Sequence, residues 1–96
     1  MPDKKTLLLH VRIVSPKKVI FEGDVLSVSS VNSSGKFDIL PFHANFLTLI
    51  ENKPIYVRKP NKEMLTFNFA MAIIYNRESR VDIYTDIQIS KEDLER

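Results

Sequence analysis

The sequence predicts an all-β fold, an antiparallel sandwich of about ten short strands, on two observations. Apolar residues recur at every second position over short runs, the period of a strand with one covered face. Turn-forming clusters rich in Asn, Ser, Pro and Lys interrupt those runs every eight to twelve residues. Ninety-six residues suffice for one domain with one modest core. Residues 1–6 are expected to fray, 7–89 to form the sandwich, and 90–96 to be a short helical stub or a disordered tail.

In the first run, Leu7, Leu9, Val11 and Ile13 share one face, and His10 and Arg12 make the other half polar. Ser15 to Lys18 reads as a turn whose dihedral Pro16 presets. Val19 to Phe21 follows as the hairpin partner, and Gly23 and Asp24 are expected to break it. Val25 to Val31 alternates weakly, and Asn32 to Gly35 is a loop by composition. Phe37–Leu40 and Phe46–Glu51 are strands on either side of Pro41, Phe42 and His43. Proline supplies no amide proton and holds the preceding residue extended, so Pro41 ends a strand.

Ile55 to Lys59 alternates Ile55 and Val57 with Tyr56 and Arg58, a strand with one wet side. After the turn at Pro60–Glu63, Leu65, Phe67 and Phe69 line one face against Thr66 and Asn68. Ala70 to Tyr75 is apolar throughout, so both of its faces should be covered, by the domain or by a partner. Val81 to Asp86 alternates again. Two glycines are few for so many turns. Asparagine is the next residue able to hold positive φ, and Asn32, Asn45, Asn52, Asn61 and Asn76 fall at or beside turns, where they are expected to replace glycine. At the tail, Ser90 to Asp93 has the form of a capping box before Leu94. A helix starting there is too short to stand undocked, since isolated helices below about 12 residues are marginal in water.

Composition narrows the chemistry. Fourteen basic and twelve acidic residues give a net charge of +2. The pairs Lys4–Lys5, Lys17–Lys18 and Arg58–Lys59 sit at turns, unlike the one-faced cluster of a nucleic-acid binder, so no nucleic-acid partner is expected. The absence of cysteine excludes disulfide frameworks, thiolate nucleophiles and Cys-ligated zinc. No apolar run approaches the roughly 20 residues of a membrane helix, and no signal-peptide region opens the chain, so a cytoplasmic chain is expected.

Catalytic and cofactor motifs fail one by one. His10 and His43 have no Asp or Glu at ligand spacing, and zinc needs three or four ligands. Ser33 to Lys36 lacks the first glycine of a phosphate loop, where Ser30 stands, and Phe37 replaces the hydroxyl residue. Asn32–Ser33–Ser34 fits a glycosylation sequon without a secretion signal. The carboxylates are scattered through turns and form no acid–base pair. Phe37, Phe42, Phe46, Phe67 and Phe69 sit among aliphatic neighbours with few cations, as core residues do. No cofactor, metal or catalytic residue is therefore expected, and what remains is surface for a partner. A domain of this size exposes roughly 5,700 Å², and standard interfaces take about 800 Å² each. Two partners would cover over a quarter of it, and Ala70–Tyr75 and the loop carrying Phe42 are the places suited to them.

One pattern is more specific. Gly35 followed by Ile39–Leu40–Pro41 and His43–Ala44, preceded by Ile13–Val14–Ser15–Pro16 and Phe21–Glu22–Gly23–Asp24–Val25, resembles the epsilon subunit of F-type rotary ATP synthases. The resemblance covers roughly residues 7–90 and matches that subunit's N-terminal β-sandwich domain. It implies a non-catalytic central-stalk subunit that binds gamma along one side and stands on the c ring. Such a subunit rotates with both and couples proton-driven rotation to ATP synthesis, peripheral on the cytoplasmic face of the membrane. Carried over by position, Ser34, Gly35, Lys36, Phe37 and Asp38, with Pro41, Phe42 and His43, match the ring-facing loop. Ala44 and Asn45 follow towards gamma.

The chain departs from the family at several of these positions. Val31–Asn32 replaces a usual Pro–Gly, Lys36 stands where an acidic residue is common, and glycines are missing at Asp38, Phe42 and near Phe69–Ala72. Family members commonly continue into a C-terminal pair of inhibitory helices, whereas this sequence stops at Arg96, so coupling without helix-based inhibition is expected. The rival reading is a free-standing module that binds an extended peptide at a sheet edge. An enzyme is a distant third, since nothing predicts a polar pocket with convergent titratable groups.

Overall fold

The computed structural model describes residues 7–86, so the expectations for residues 1–6 and 90–96 lie outside the described residues. Nine strands are present among them: β1 Leu9–Val14, β2 Val19–Val25, β3 Ser27–Asn32, β4 Gly35–Ile39, β5 Phe46–Glu51, β6 Pro54–Arg58, β7 Met64–Asn68, β8 Met71–Arg77 and β9 Arg80–Thr85. They form two sheets, ordered β2-β1-β9-β8-β5 and β4-β3-β6-β7. The all-β sandwich read from the alternation is the architecture found.

Every pairing is antiparallel except β1 with β9, where Val11 lies beside Val81 and Ile13 beside Ile83. The first and last strands thus close the middle of the larger sheet side by side. Parallel neighbours need a long crossover, and here the other seven strands supply it.

The core is aliphatic. Leu9, Val11, Ile13, Ile50, Ala72, Ile74, Val81 and Ile83 face inward from the larger sheet, and Val28, Ile39, Ile55 and Val57 meet them from the smaller one. Each such side chain contributes about 1.5–3 kcal/mol by leaving water. Aromatic rings pack at the margin: Phe37 meets Phe46 edge-on at 5.2 Å, and Phe67 stacks on Phe69 at 6.2 Å.

Two local expectations are revised. β2 does not break at Gly23 and Asp24 but runs on to Val25. Gly23 lies opposite Val11 on the inner face, and a Cβ there would stand 3.5 Å from the ring of Phe21. That is ordinary contact, so the position would also accept a Cβ, and the glycine does not end the strand. Of the asparagines, only Asn52 holds positive φ; the other non-glycine residues that do are Phe42, Lys62, Glu78, Ser79 and Asp86. Asn32, Asn45 and Asn61 act through their side chains, each Oδ1 accepting a backbone N–H, from Ser34, Glu78 and Glu63 respectively.

Candidate functional site

The register of the larger sheet decides what its outer face carries. Leu49 of β5 lies opposite Ile73 of β8, Ile73 opposite Tyr84 of β9, Tyr84 beside Val14 of β1, and Val14 opposite Val19 of β2. A single apolar row therefore crosses all five strands on the side away from the core. Leu47, 66% exposed, and its partner Tyr75 widen the row at the β5 end. A lone sandwich would keep such positions polar, as the smaller sheet does: its outer row reads Asp38, Ser29, Tyr56, Thr66. The apolar run expected to need cover on both faces is β8, whose Ala72 and Ile74 are buried while Met71, Ile73 and Tyr75 are only partly buried.

Beyond this row the outer face turns ionic. His10 and Arg12 of β1 meet Asp24 and Glu22 of β2, with Nδ1 of His10 at 3.0 Å from Asp24 and Nε2 at 2.9 Å from Glu22. Arg12 reaches Glu22 at 3.7 Å, and Arg80 pairs with Asp82 at 3.5 Å. Hydrogen bonds to Asp24 and then Glu22 raise the pKa of His10 above its usual 6.5, against a smaller opposing effect of burial. The two ring nitrogens point to different carboxylates, so this is an ion-pair cluster and not a chelate. Among the described residues no group of three or more His, Cys, Asp or Glu is placed to hold a metal ion.

The ten residues singled out from the sequence run from the β3–β4 turn along β4 and on into the β4–β5 connection. Ser34 and Gly35 make the β3–β4 turn, where Gly35 holds φ 121. Lys36 and Asp38 point outward from the smaller sheet, Asp38 accepting a hydrogen bond from Ser29, while Phe37 points inward onto Phe46. Pro41, Phe42, His43, Ala44 and Asn45 form the connection from β4 to β5 at the other end, roughly 16 Å away at 3.3 Å per residue.

The connection is tied to the β8–β9 hairpin. Phe42 donates its N–H to Ser79 Oγ at 3.0 Å, Asn76 Nδ2 donates to the carbonyl of Ala44 at 2.9 Å, and Glu78 donates its N–H to Asn45 Oδ1 at 3.3 Å. Phe42 itself is 75% exposed at φ 67, a backbone conformation that glycine adopts freely and L-residues do not. Its position is one where the family resemblance expects glycine. Sequence reasoning missed the apolar row and the role of Asn76. The row was accessible only through register, since Val14, Val19, Leu49, Ile73 and Tyr84 come from five separate strands.

A notch of about 280 Å³ lies beside the β3–β4 turn, lined by Asn32, Ser33, Thr48, Leu49, Glu51 and Lys53 among others. Asn32 Nδ2 donates to Thr48 Oγ1 at 3.0 Å within it. No helix among the described residues is long and apolar enough to cross a membrane.

Comparison with known proteins gives this surface a context. The family model for the ATP synthase delta/epsilon chain, beta-sandwich domain, matches residues 8–91. The ATP synthase epsilon chain of Helicobacter pylori is 34% identical over 92 residues, covering 93% of this chain and 73% of that one. That of Ureaplasma parvum is 32% identical over 83 residues, covering 82% of this chain and 59% of its own length. The chain spans 49% of the Nitratiruptor epsilon chain, to which it is 38% identical over 63 residues. Several relatives are thus longer than the match by a third of their length or more.

Solved structures repeat the fold. A chain of the Euglena gracilis mitochondrial ATP synthase superposes with a TM-score of 0.77 at 14% identity, covering 93% of this chain and 60% of that chain. One from the central stalk and c ring of the Tetrahymena thermophila enzyme superposes at 0.69 and 11% identity, covering 90% of this chain and 69% of that one. With the family model spanning most of the sequence, the chain belongs to the delta/epsilon family of ATP synthase chains, as their β-sandwich domain.

Proposed function

We propose that this chain is a non-catalytic rotor subunit of an F-type ATP synthase, docking on gamma with one surface and on the c ring with another. It passes rotation between them and thereby couples proton flow to ATP synthesis, on the cytoplasmic face of the membrane. The apolar row across the outer face of the larger sheet carries this reading, because it is the one sheet face that burial against a partner would improve. Gamma is assigned to that row, together with the adjoining Leu47 and the Phe42–Asn45 connection, which moves Phe42 and His43 from the ring-facing loop that the resemblance implies to the gamma side. The ring is assigned to the polar β3–β4 turn with Ser34, Gly35 and Lys36. The two ends of β4 then address two partners, which suits an element held between them. Residues 7–86 supply docking in this scheme and no helix-based brake on hydrolysis.

The test is co-expression with gamma from the same source, followed by size-exclusion chromatography and reconstitution with the c ring. The wild-type chain is expected to co-elute with gamma, and Ile73→Glu, which sets a charge in the middle of the row, to elute alone with its thermal midpoint unchanged. Co-elution of Ile73→Glu as tight as wild type would remove the row as the gamma surface.

A further inference from the structure

We infer that Asn76 is a positioning residue whose amide donor fixes the Phe42–Asn45 connection in the geometry in which it docks, an inference that rests on reading that connection as partner-facing. Ala72, Ile74 and Asn76 succeed one another on the inner face of β8, and Asn76 is the polar one, at 0% exposure. Its Nδ2 donates to the carbonyls of His43 at 3.4 Å and Ala44 at 2.9 Å, whereas no protein donor reaches its Oδ1 among the described residues. Two carbonyls on one side dictate which end of the amide lies there, since the flipped amide would set oxygen against oxygen. Only the donating half is used, and it is used on the connection.

A leucine would fill the same space without an unpaired acceptor in the core, so folding alone does not call for an amide here. Backbone conformation points the same way. Glu78 and Ser79 hold positive φ because they are the two-residue turn closed by the Arg77–Arg80 pair, which leaves Phe42, whose N–H meets Ser79 Oγ, as the positive-φ residue of the connection itself. Residues held in sparsely populated backbone regions persist where their surroundings over-determine them, as at ligand clamps. Phe42, Ala44 and Asn45 are exposed, so burial does not hold them; hydrogen bonds from the hairpin do. A connection set in advance binds without the ordering penalty of a loose one.

Two variants of the full chain test this. Asn76→Leu removes the donor and the unpaired acceptor together; Ser79→Gly keeps a left-handed backbone and removes only the hydroxyl that holds Phe42. Amide NMR positions and hydrogen exchange of residues 42–45 are read beside the thermal midpoint and the affinity for gamma. In Asn76→Leu the midpoint is expected to hold, the amide signals of 43–45 to move, and affinity to fall about tenfold. In Ser79→Gly the Phe42 amide is expected to exchange at least about tenfold faster, with a matching loss of affinity. Unmoved signals in both variants, or displaced signals with full affinity, overturn the inference. So does an Asn76→Leu chain that fails to fold while Ser79→Gly is silent, since Asn76 is then a core residue only. A wild-type chain that ignores gamma overturns the functional reading instead, and the signals of 42–45 still report on Asn76.

Discussion

Nδ1 of His10 stands 3.0 Å from Oδ1 of Asp24, the residue directly opposite it in the β1–β2 register. With Glu22 at the other ring nitrogen, both nitrogens meet carboxylates, and only the imidazolium can donate from both at once. Arg12 shares Glu22, and Arg80, beside His10 on β9, is engaged by Asp82. His10 titrates above 6.5 in the folded chain, through Asp24 first and Glu22 second. A raised pKa means that the cluster's contribution is complete below the ordinary histidine value and is lost as pH climbs through the higher folded value. The partners are exposed, and such pairs contribute about 0–1 kcal/mol. Urea midpoints are therefore expected to fall slightly between about pH 6 and pH 8 in the wild type and to stay flat over that window in His10→Gln. Identical pH profiles for the two would contradict the clamp.

Ile74 tests the core. It lies in β8 between Thr48 of β5 and Ile83 of β9, and is fully buried. Ile74→Ala is expected to lower stability by about 2–5 kcal/mol, the lost transfer plus the cavity left behind. Leu49→Ala, one strand over on the outer face, is expected to cost no more than about 0.5 kcal/mol. Chemical denaturation of the two variants measures the contrast, and equal losses would mean the inner and outer faces have been misassigned.

The strands themselves were legible because burial follows the period of two so closely: Leu9, Val11 and Ile13 are all buried, as their alternation requires. Pro41 ended its strand for the reason given, and β5 runs over the span read from sequence. What escaped was set by contacts between distant segments. Gly23 looked like a breaker, and it is pairing with Val11 of β1 that keeps it in the strand. Asn76 looked like a turn residue because its partners, His43 and Ala44, lie more than thirty positions away. Ser34 and Phe42, which the resemblance carries over to one loop, flank β4 on opposite sides.

Lys36 carries the charge by which this chain differs from what the resemblance expects at the ring-facing turn. It projects from the edge strand of the smaller sheet, and its neighbour Asp38 is engaged by Ser29. If the ring offers an acidic loop, Lys36→Glu is expected to weaken ring binding several-fold at low salt and little at high salt, since exposed charges are screened beyond about 10 Å at 0.1 M. Binding titrations at two ionic strengths read this out. A cognate c-subunit loop with only basic residues would remove the pairing.

Phe42 sets local strain against docking. A left-handed backbone disfavours an L-residue by roughly 1–2 kcal/mol, and glycine escapes that penalty. Glycine also gives the unfolded chain more freedom, worth about 0.4–1 kcal/mol in the opposite direction. With its ring three-quarters exposed, Phe42 has little burial to lose. The terms nearly cancel, so Phe42→Gly is expected to shift stability by less than about 1 kcal/mol either way. Its effect on gamma should be much larger, because a solvent-facing aromatic held on a preset backbone is the kind of residue that dominates binding energy, typically by about 2 kcal/mol or more. Thermal midpoint and gamma affinity measured on one preparation separate the two. A variant as stable as wild type that binds gamma equally well would leave the strained phenylalanine with no docking role.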